Sequence, residues 1–197
     1  MSAWKAIAAC MLGAAATMAT AAQLQPATAP LPGDSVYQLP ASLTDSGGRA
    51  LAWQDLRGKP RLATMFYTSC RYVCPMVVDS LRAVERGLSE SQRKRIGFVL
   101  ISMDPARDTT EVLAKLKSER HLDSSSWLLV SPRPDDLRGL AGVLGIRYRA
   151  LADGEFNHTT TLVLLDADGR VLARTDRIGG DGDPEFLAAV RAALVGT

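Results

Sequence analysis

Two cysteines and one histidine carry the chemistry that this sequence can perform. Cys70 and Cys74 lie in Thr68-Ser69-Cys70-Arg71-Tyr72-Val73-Cys74-Pro75, between a nearly continuous apolar run, Arg61 to Tyr67, and a segment with helical periodicity. A cysteine at the start of a helix meets unpaired N–H groups and the positive end of the helix dipole, which favour thiolate over thiol. Thiolate is the form that binds soft metals or attacks disulfides. Pro75 fits the first helical turn, where its missing N–H costs nothing. Three residues separate the cysteines, whereas dithiol redox motifs usually have two. Positions four apart share one helical face, so both sulfurs can address one ion. The same pair can also form a disulfide where the backbone permits, so spacing alone leaves metal and redox chemistry open. A purely structural bridge would gain little from closing so short a loop.

A third ligand bears on that choice. Thiolates suit Cu(I), and imidazole suits both copper oxidation states. The chain offers only His121 and His158. His121, in Glu119-Arg120-His121-Leu122-Asp123, sits among charges at an expected helix end and reads as a solvated residue. His158 directly precedes Thr159 to Leu165, which places it at the mouth of a strand, where α/β ligand sites tend to form.

The elements that must position these residues follow from the hydrophobic pattern. Arg61 to Tyr67 and Ile96 to Ile101 are apolar enough for strands buried on both faces, and Trp127 to Val130 is another. Met76, Val77, Leu81, Val84 and Leu88 mark one helical face, with Met65, Met76 and Met103 read as core rather than soft donors. Asp108 to Glu111 supplies a cap for a helix with Val112, Leu113 and Leu116 inward, and a second helix from Pro134 carries Leu137, Leu140 and Leu144. Thr159 to Leu165 and Val171 to Arg174 flank the turn Asp166-Ala167-Asp168-Gly169, and Pro184 opens a last helix with Phe186, Leu187, Val190 and Leu194 inward. Leu43 to Asp45 and Leu51 to Trp53 around Gly47-Gly48 make a short N-terminal hairpin. Alternating strands and helices with an antiparallel end give an α/β fold: a central mixed β-sheet flanked by helices, with the N-terminal hairpin as an extension.

Length and composition set the frame. The 197 residues, 47% apolar and 22% charged, suit one globular domain plus a leader. A net charge of +2 with no long charge run implies no nucleic-acid partner. Lys5 followed by the apolar run Ala6 to Ala22 reads as a cleaved signal peptide over residues 1–22, with a retained anchor or lipidation at Cys10 as alternatives. Residues 23–40, with Pro26, Pro30, Pro32 and Pro40, read as a linker, leaving 41–197 as the domain. Cleavage would remove Cys10 and leave Cys70 and Cys74 as the two cysteines of an exported protein.

Phe66-Tyr67-Thr68-Ser69-Cys70-Arg71-Tyr72-Val73-Cys74-Pro75, Ser102-Met103-Asp104-Pro105-Ala106-Arg107-Asp108-Thr109, Phe156-Asn157-His158-Thr159 and Leu164-Leu165-Asp166-Ala167-Asp168-Gly169 together resemble the SCO/SenC family of copper-binding proteins, in order and separation. The resemblance runs from about Val36 to Leu194. It implies a thioredoxin-like fold in which Cys70, Cys74 and His158 bind one copper ion, Cu(I) or Cu(II). It further implies a monomer in the bacterial periplasm, soluble or tethered by its leader. Such a protein delivers copper to the CuA centre of cytochrome c oxidase, with the apo CuA-domain subunit or another periplasmic copper protein as partner. Asp104 is a candidate outer participant, as a hard ligand or as an acceptor for His158, against the plainer reading that Asp104-Pro105 turns the chain. Asp108 is expected to cap the next helix.

The same residues support a thiol–disulfide oxidoreductase in which Cys70 and Cys74 reduce a copper-site partner, or a copper or redox sensor. Phe156 to Thr159 lacks the proline that usually faces the cysteines of thioredoxin-like reductants, which favours metal. A peroxiredoxin is disfavoured, because Arg71 stands where those enzymes carry a threonine and Phe66 to Val73 holds no proline.

Overall fold

A computed structural model describes residues 30–70, 73–123, 125–179 and 182–195, apart from the side chains of Val73 and Cys74. The expected signal peptide and residues 23–29 of the expected linker lie outside the described residues.

In chain order the elements are β1 (Ser42–Asp45), β2 (Ala50–Ala52), β3 (Arg61–Phe66), α1 (Val73–Arg86), α2 (Glu90–Arg95), β4 (Gly97–Ser102), α3 (Thr110–Glu119), β5 (Trp127–Pro132), α4 (Leu137–Leu144), β6 (Tyr148–Ala150), β7 (Phe156–His158), β8 (Leu162–Leu165), β9 (Val171–Thr175) and α5 (Pro184–Ala193). Seven strands form one sheet in the order β2-β1-β5-β4-β3-β8-β9. The apolar runs occupy its centre: β3, β4 and β5 pair in parallel, and β8 closes antiparallel on β3. All six residues of β4 are buried, which requires cover on both faces. Phe98 and its register partner Trp127 stack at 4.5 Å between centroids. The Trp127 indole N–H donates to Glu85 at 3.0 Å and so ties β5 to α1. The unit β3-α1-β4 followed by antiparallel β8-β9 and α5 is a thioredoxin-like arrangement, and the β1-β2 hairpin extends it at the β5 edge.

Three expectations need correction. Residues 36–40 do not serve as linker. Val36–Gln38 is a 3-10 helix whose Tyr37 is wholly buried, edge-on to the equally buried Trp53 at 5.3 Å. The aromatic pair contributes core that the surrounding prolines obscured. Met76 is not core either: Val77, Val78 and Leu81 form the buried face of α1, and Met76 is 43% exposed. Last, His158 is not at the mouth of a sheet strand. It ends β7, which pairs with β6 in a separate two-stranded sheet, and three residues separate it from the start of β8.

The turn Asp166 to Gly169 anchors the N-terminal segment, since the Gly169 carbonyl accepts the Val36 N–H at 2.9 Å. Gly169 has φ +84°, and a Cβ there would lie 2.5 Å from the Tyr37 ring. Gly169→Ala is therefore expected to cost about 3 kcal/mol in urea unfolding, combining left-handed strain with overpacking.

Candidate metal centre

The cysteine loop is set by the strand before it and by two buried polar groups beneath it. After β3 the chain turns, with the Cys70 N–H donating to the Tyr67 carbonyl at 3.3 Å. Asp108 holds this turn from below. It is fully buried, and its carboxylate accepts from the Thr68 N–H at 3.2 Å, from the Thr68 hydroxyl, and from the Ser102 hydroxyl at 2.5 Å. Burial pushes its pKa up, the Ser102 and Thr68 donors pull against that, and the nearby Asp104 charge adds to the rise. Asp108 is thus a buttress rather than a helix cap. Thr109 is the residue that caps α3, its hydroxyl accepting from the Val112 N–H at 3.4 Å.

Cys70 is half-buried. It opens onto a small cavity of about 60 Å³ lined also by Tyr67, Pro75, Val78, Leu116 and Arg120. Arg120 donates to the Pro75 carbonyl at 3.0 Å and to Asp79 at 3.2 Å, fastening the end of α3 to the first turns of α1. Cys74 occupies the first turn of α1, and its side chain lies outside the described structure.

Tyr67 joins the cysteine loop to the histidine. Its side chain is 3% exposed. Its ring stands edge-on to His158 at 5.8 Å and to Phe156 at 5.0 Å. Its hydroxyl donates to Glu155 at 2.7 Å, its carbonyl accepts the Cys70 N–H, and its side chain lines the same small cavity as Cys70. Burial, then the Glu155 and Cys70 contacts, push the Tyr67 pKa well above that of an ordinary tyrosine, so the phenol stays neutral.

His158 is half-buried opposite Tyr148 in the β6-β7 ladder. Its Nδ1 lies 3.1 Å from the Thr159 carbonyl. A carbonyl can only accept, so Nδ1 carries the proton and the lone pair is left on Nε2, the arrangement usual for a metal-ligating imidazole. The residue types expected as donors fit a copper ion: a thiol on a loop, a second cysteine at the following helix start, and an imidazole whose Nδ1 faces a carbonyl. Among the described residues no three of His, Cys, Asp and Glu already converge as a metal cluster.

Asp104 and His121 stand apart from these contacts. Asp104 is buried and pairs with Arg107, whereas the described partner of His158 is its neighbour's carbonyl. His121 is exposed at φ 48°, with its carbonyl accepting from Arg82 at 3.3 Å. A concavity of about 630 Å³ is lined by His121, Lys117, Arg49 and Asp45 and by no residue of the cysteine loop.

The family model for SCO1/SenC matches residues 32–194, nearly all of the described chain. The chain belongs to the SCO1/SenC family. A Stutzerimonas stutzeri protein that carries copper binding in its name is 25% identical over 131 residues, 64% of this chain and 63% of that protein. Mitochondrial SCO2 of Saccharomyces cerevisiae is 33% identical over 82 residues, 42% of this chain and 27% of that protein. This SCO1/SenC chain thus spans less than two thirds of either relative. Bradyrhizobium japonicum ScoI, solved with copper bound, superposes with a TM-score of 0.63 at 26% identity, covering 79% of this chain and 98% of that one.

Within this SCO1/SenC chain, sequence reasoning did not single out Tyr67 or its acceptor Glu155, and it gave Asp108 to a helix cap rather than to the turn at Thr68. The visible signal was Asp153-Gly154, a hairpin turn pair between Tyr148 and Phe156.

Proposed function

We propose that this SCO1/SenC protein binds one copper ion through Cys70, Cys74 and His158 and delivers it to the CuA centre of cytochrome c oxidase, or assists that centre's assembly. The observation that carries the reading is Tyr67, which touches both Cys70 and His158 and so brings residues 88 positions apart in the chain to one place. The copper in the name of the Stutzerimonas stutzeri protein and the copper bound in Bradyrhizobium japonicum ScoI are consistent with it. The thiolates suit Cu(I), and the fixed imidazole lets the same site accept Cu(II). Three protein donors with a half-exposed cysteine leave the ion open to an incoming ligand, so cargo can pass by stepwise exchange of donors to an apo CuA-domain subunit or another periplasmic copper protein. Asp104 acts at a distance from the ion, through Arg107. The chain acts as an exported periplasmic protein, and no helix among the described residues is long and apolar enough to cross a membrane.

Anaerobic titration of the reduced protein with Cu(I) and with Cu(II) tests this reading. One-to-one binding is expected, with a sulfur-to-Cu(II) charge-transfer band that disappears in Cys70→Ser and in Cys74→Ser. Binding that does not depend on both cysteines would refute the assignment.

A further inference from the structure

The hairpin that carries His158 has little to hold it in place by itself. It has three residue pairs, Tyr148 with His158, Arg149 with Asn157 and Ala150 with Phe156, and no strand of the main sheet pairs with it. Two-stranded ribbons of this length are marginal alone. Its base is fixed by the Thr159 N–H donating to the Arg147 carbonyl at 2.9 Å and by the Arg147 N–H donating to the Thr159 hydroxyl at 3.0 Å.

Its tip is tied at two adjacent residues. The Gly154 carbonyl accepts from the Arg107 guanidinium, whose Nε is paired with buried Asp104. The next residue, Glu155, accepts the Tyr67 hydroxyl at 2.7 Å. The two ties come from different places. Tyr67 directly follows β3, and Asp104 to Arg107 lie in the turn that begins one residue after β4, so the tip is fastened to the carboxyl ends of two neighbouring parallel strands. Tyr67 is also the residue against Cys70, so a shift of the tip moves His158 relative to the cysteine loop.

We propose that Arg107 and Glu155 are positioning residues: by latching the tip of the β6-β7 hairpin to the ends of β3 and β4, they hold the His158 imidazole at the cysteine loop. This rests on the reading of His158 as a copper ligand. Each latch acts from outside the donor set. Arg107 acts through the Gly154 carbonyl with Asp104 steadying its guanidinium, and Glu155 acts through Tyr67.

The test begins with the metal-free, reduced protein. Amide exchange is followed at Leu151, whose N–H donates to the Glu155 carbonyl at 2.8 Å, and at Thr159, with Val99 in β4 as an internal reference. In Arg107→Ala and in Glu155→Ala, exchange at Leu151 and Thr159 is expected to rise about tenfold, the effect of losing one net hydrogen bond, while Val99 keeps its protection. Glu155→Gln retains an acceptor oxygen for Tyr67 and is expected to stay within about threefold of the native protein. In the Cu(II)-loaded protein the alanine variants are expected to release copper about tenfold faster, with the imidazole nitrogen coupling in the electron paramagnetic resonance spectrum altered, and Glu155→Gln is expected to restore both. Native exchange at Leu151 and Thr159 in both alanine variants overturns the proposal. So does faster exchange with copper release and nitrogen coupling unchanged. If His158→Ala leaves the nitrogen coupling intact, the ligand reading fails instead, and the metal-free exchange still decides the latch.

Discussion

Replacing His158 with alanine is expected to lower Cu(II) affinity by more than about a hundredfold while leaving the fold intact. Losing a group that merely orients a ligand typically costs about 10- to 100-fold in metal affinity, so losing a ligand costs more. Cu(I) is expected to fall by less, because two thiolates can hold the softer ion without the imidazole. Stability is expected to change by less than about 1 kcal/mol, since His158 is half-buried and its described hydrogen bond goes to the neighbouring residue's carbonyl. Competition titrations with chelators of known affinity measure both oxidation states, and urea unfolding checks the fold. The same variant separates copper delivery from thiol–disulfide exchange. A dithiol reductant depends on Cys70 and Cys74, so His158→Ala should largely keep disulfide reduction while losing copper. Unchanged Cu(II) affinity would remove His158 from the site.

What could be read from the sequence follows how strongly each segment is buried. Arg61–Phe66 and Gly97–Ser102 were legible because strands covered on both faces must be apolar almost throughout, and five and six of their residues respectively are buried. Pro184 and the apolar positions after it marked α5 in the same direct way, with Phe186 and Val190 buried. The cysteines and His158 were legible as residue types because so few cysteines and histidines are present to choose from. The hairpin beneath His158 was not. Its strands are three residues long and only partly buried, so neither shows a repeat long enough to detect. Tyr37 was hidden among prolines, and only the tertiary contact with Trp53 makes it core. Asp108 was assigned to capping because an aspartate before Thr109-Thr110-Glu111 fits a cap. Its actual donors, Thr68 and Ser102, lie 40 and 6 residues away, a distance that local pattern does not report for the first of them.

Asp108→Ala is expected to be the most damaging single change beneath the cysteine loop, costing about 3 kcal/mol. It removes a fully buried acceptor from three donor groups: the Thr68 N–H, the Thr68 hydroxyl and the Ser102 hydroxyl. A buried donor left without a partner costs roughly 1–3 kcal/mol, and the two hydroxyls can recover part of this by rotating toward other acceptors, whereas the backbone N–H cannot. Asp108→Asn keeps an acceptor oxygen and is expected to cost about 1 kcal/mol at neutral pH. Folding raises the Asp108 pKa above its ordinary 3.8, so the fold holds that proton more tightly than the unfolded chain does. Its contribution to stability is therefore fully present below 3.8 and declines as pH rises through the folded value. Asparagine does not titrate, so the stability gap between the native protein and Asp108→Asn should narrow as pH rises through that window. Urea unfolding over a pH series measures it, and a gap that widens with pH would mean the carboxylate is favoured by its donors more than it is penalised by burial. The functional consequence follows from Thr68. It lies two residues before Cys70, and once its N–H loses Asp108 the turn is no longer pinned to the end of β4. Copper release is then expected to accelerate in Asp108→Ala even under conditions where the variant remains folded.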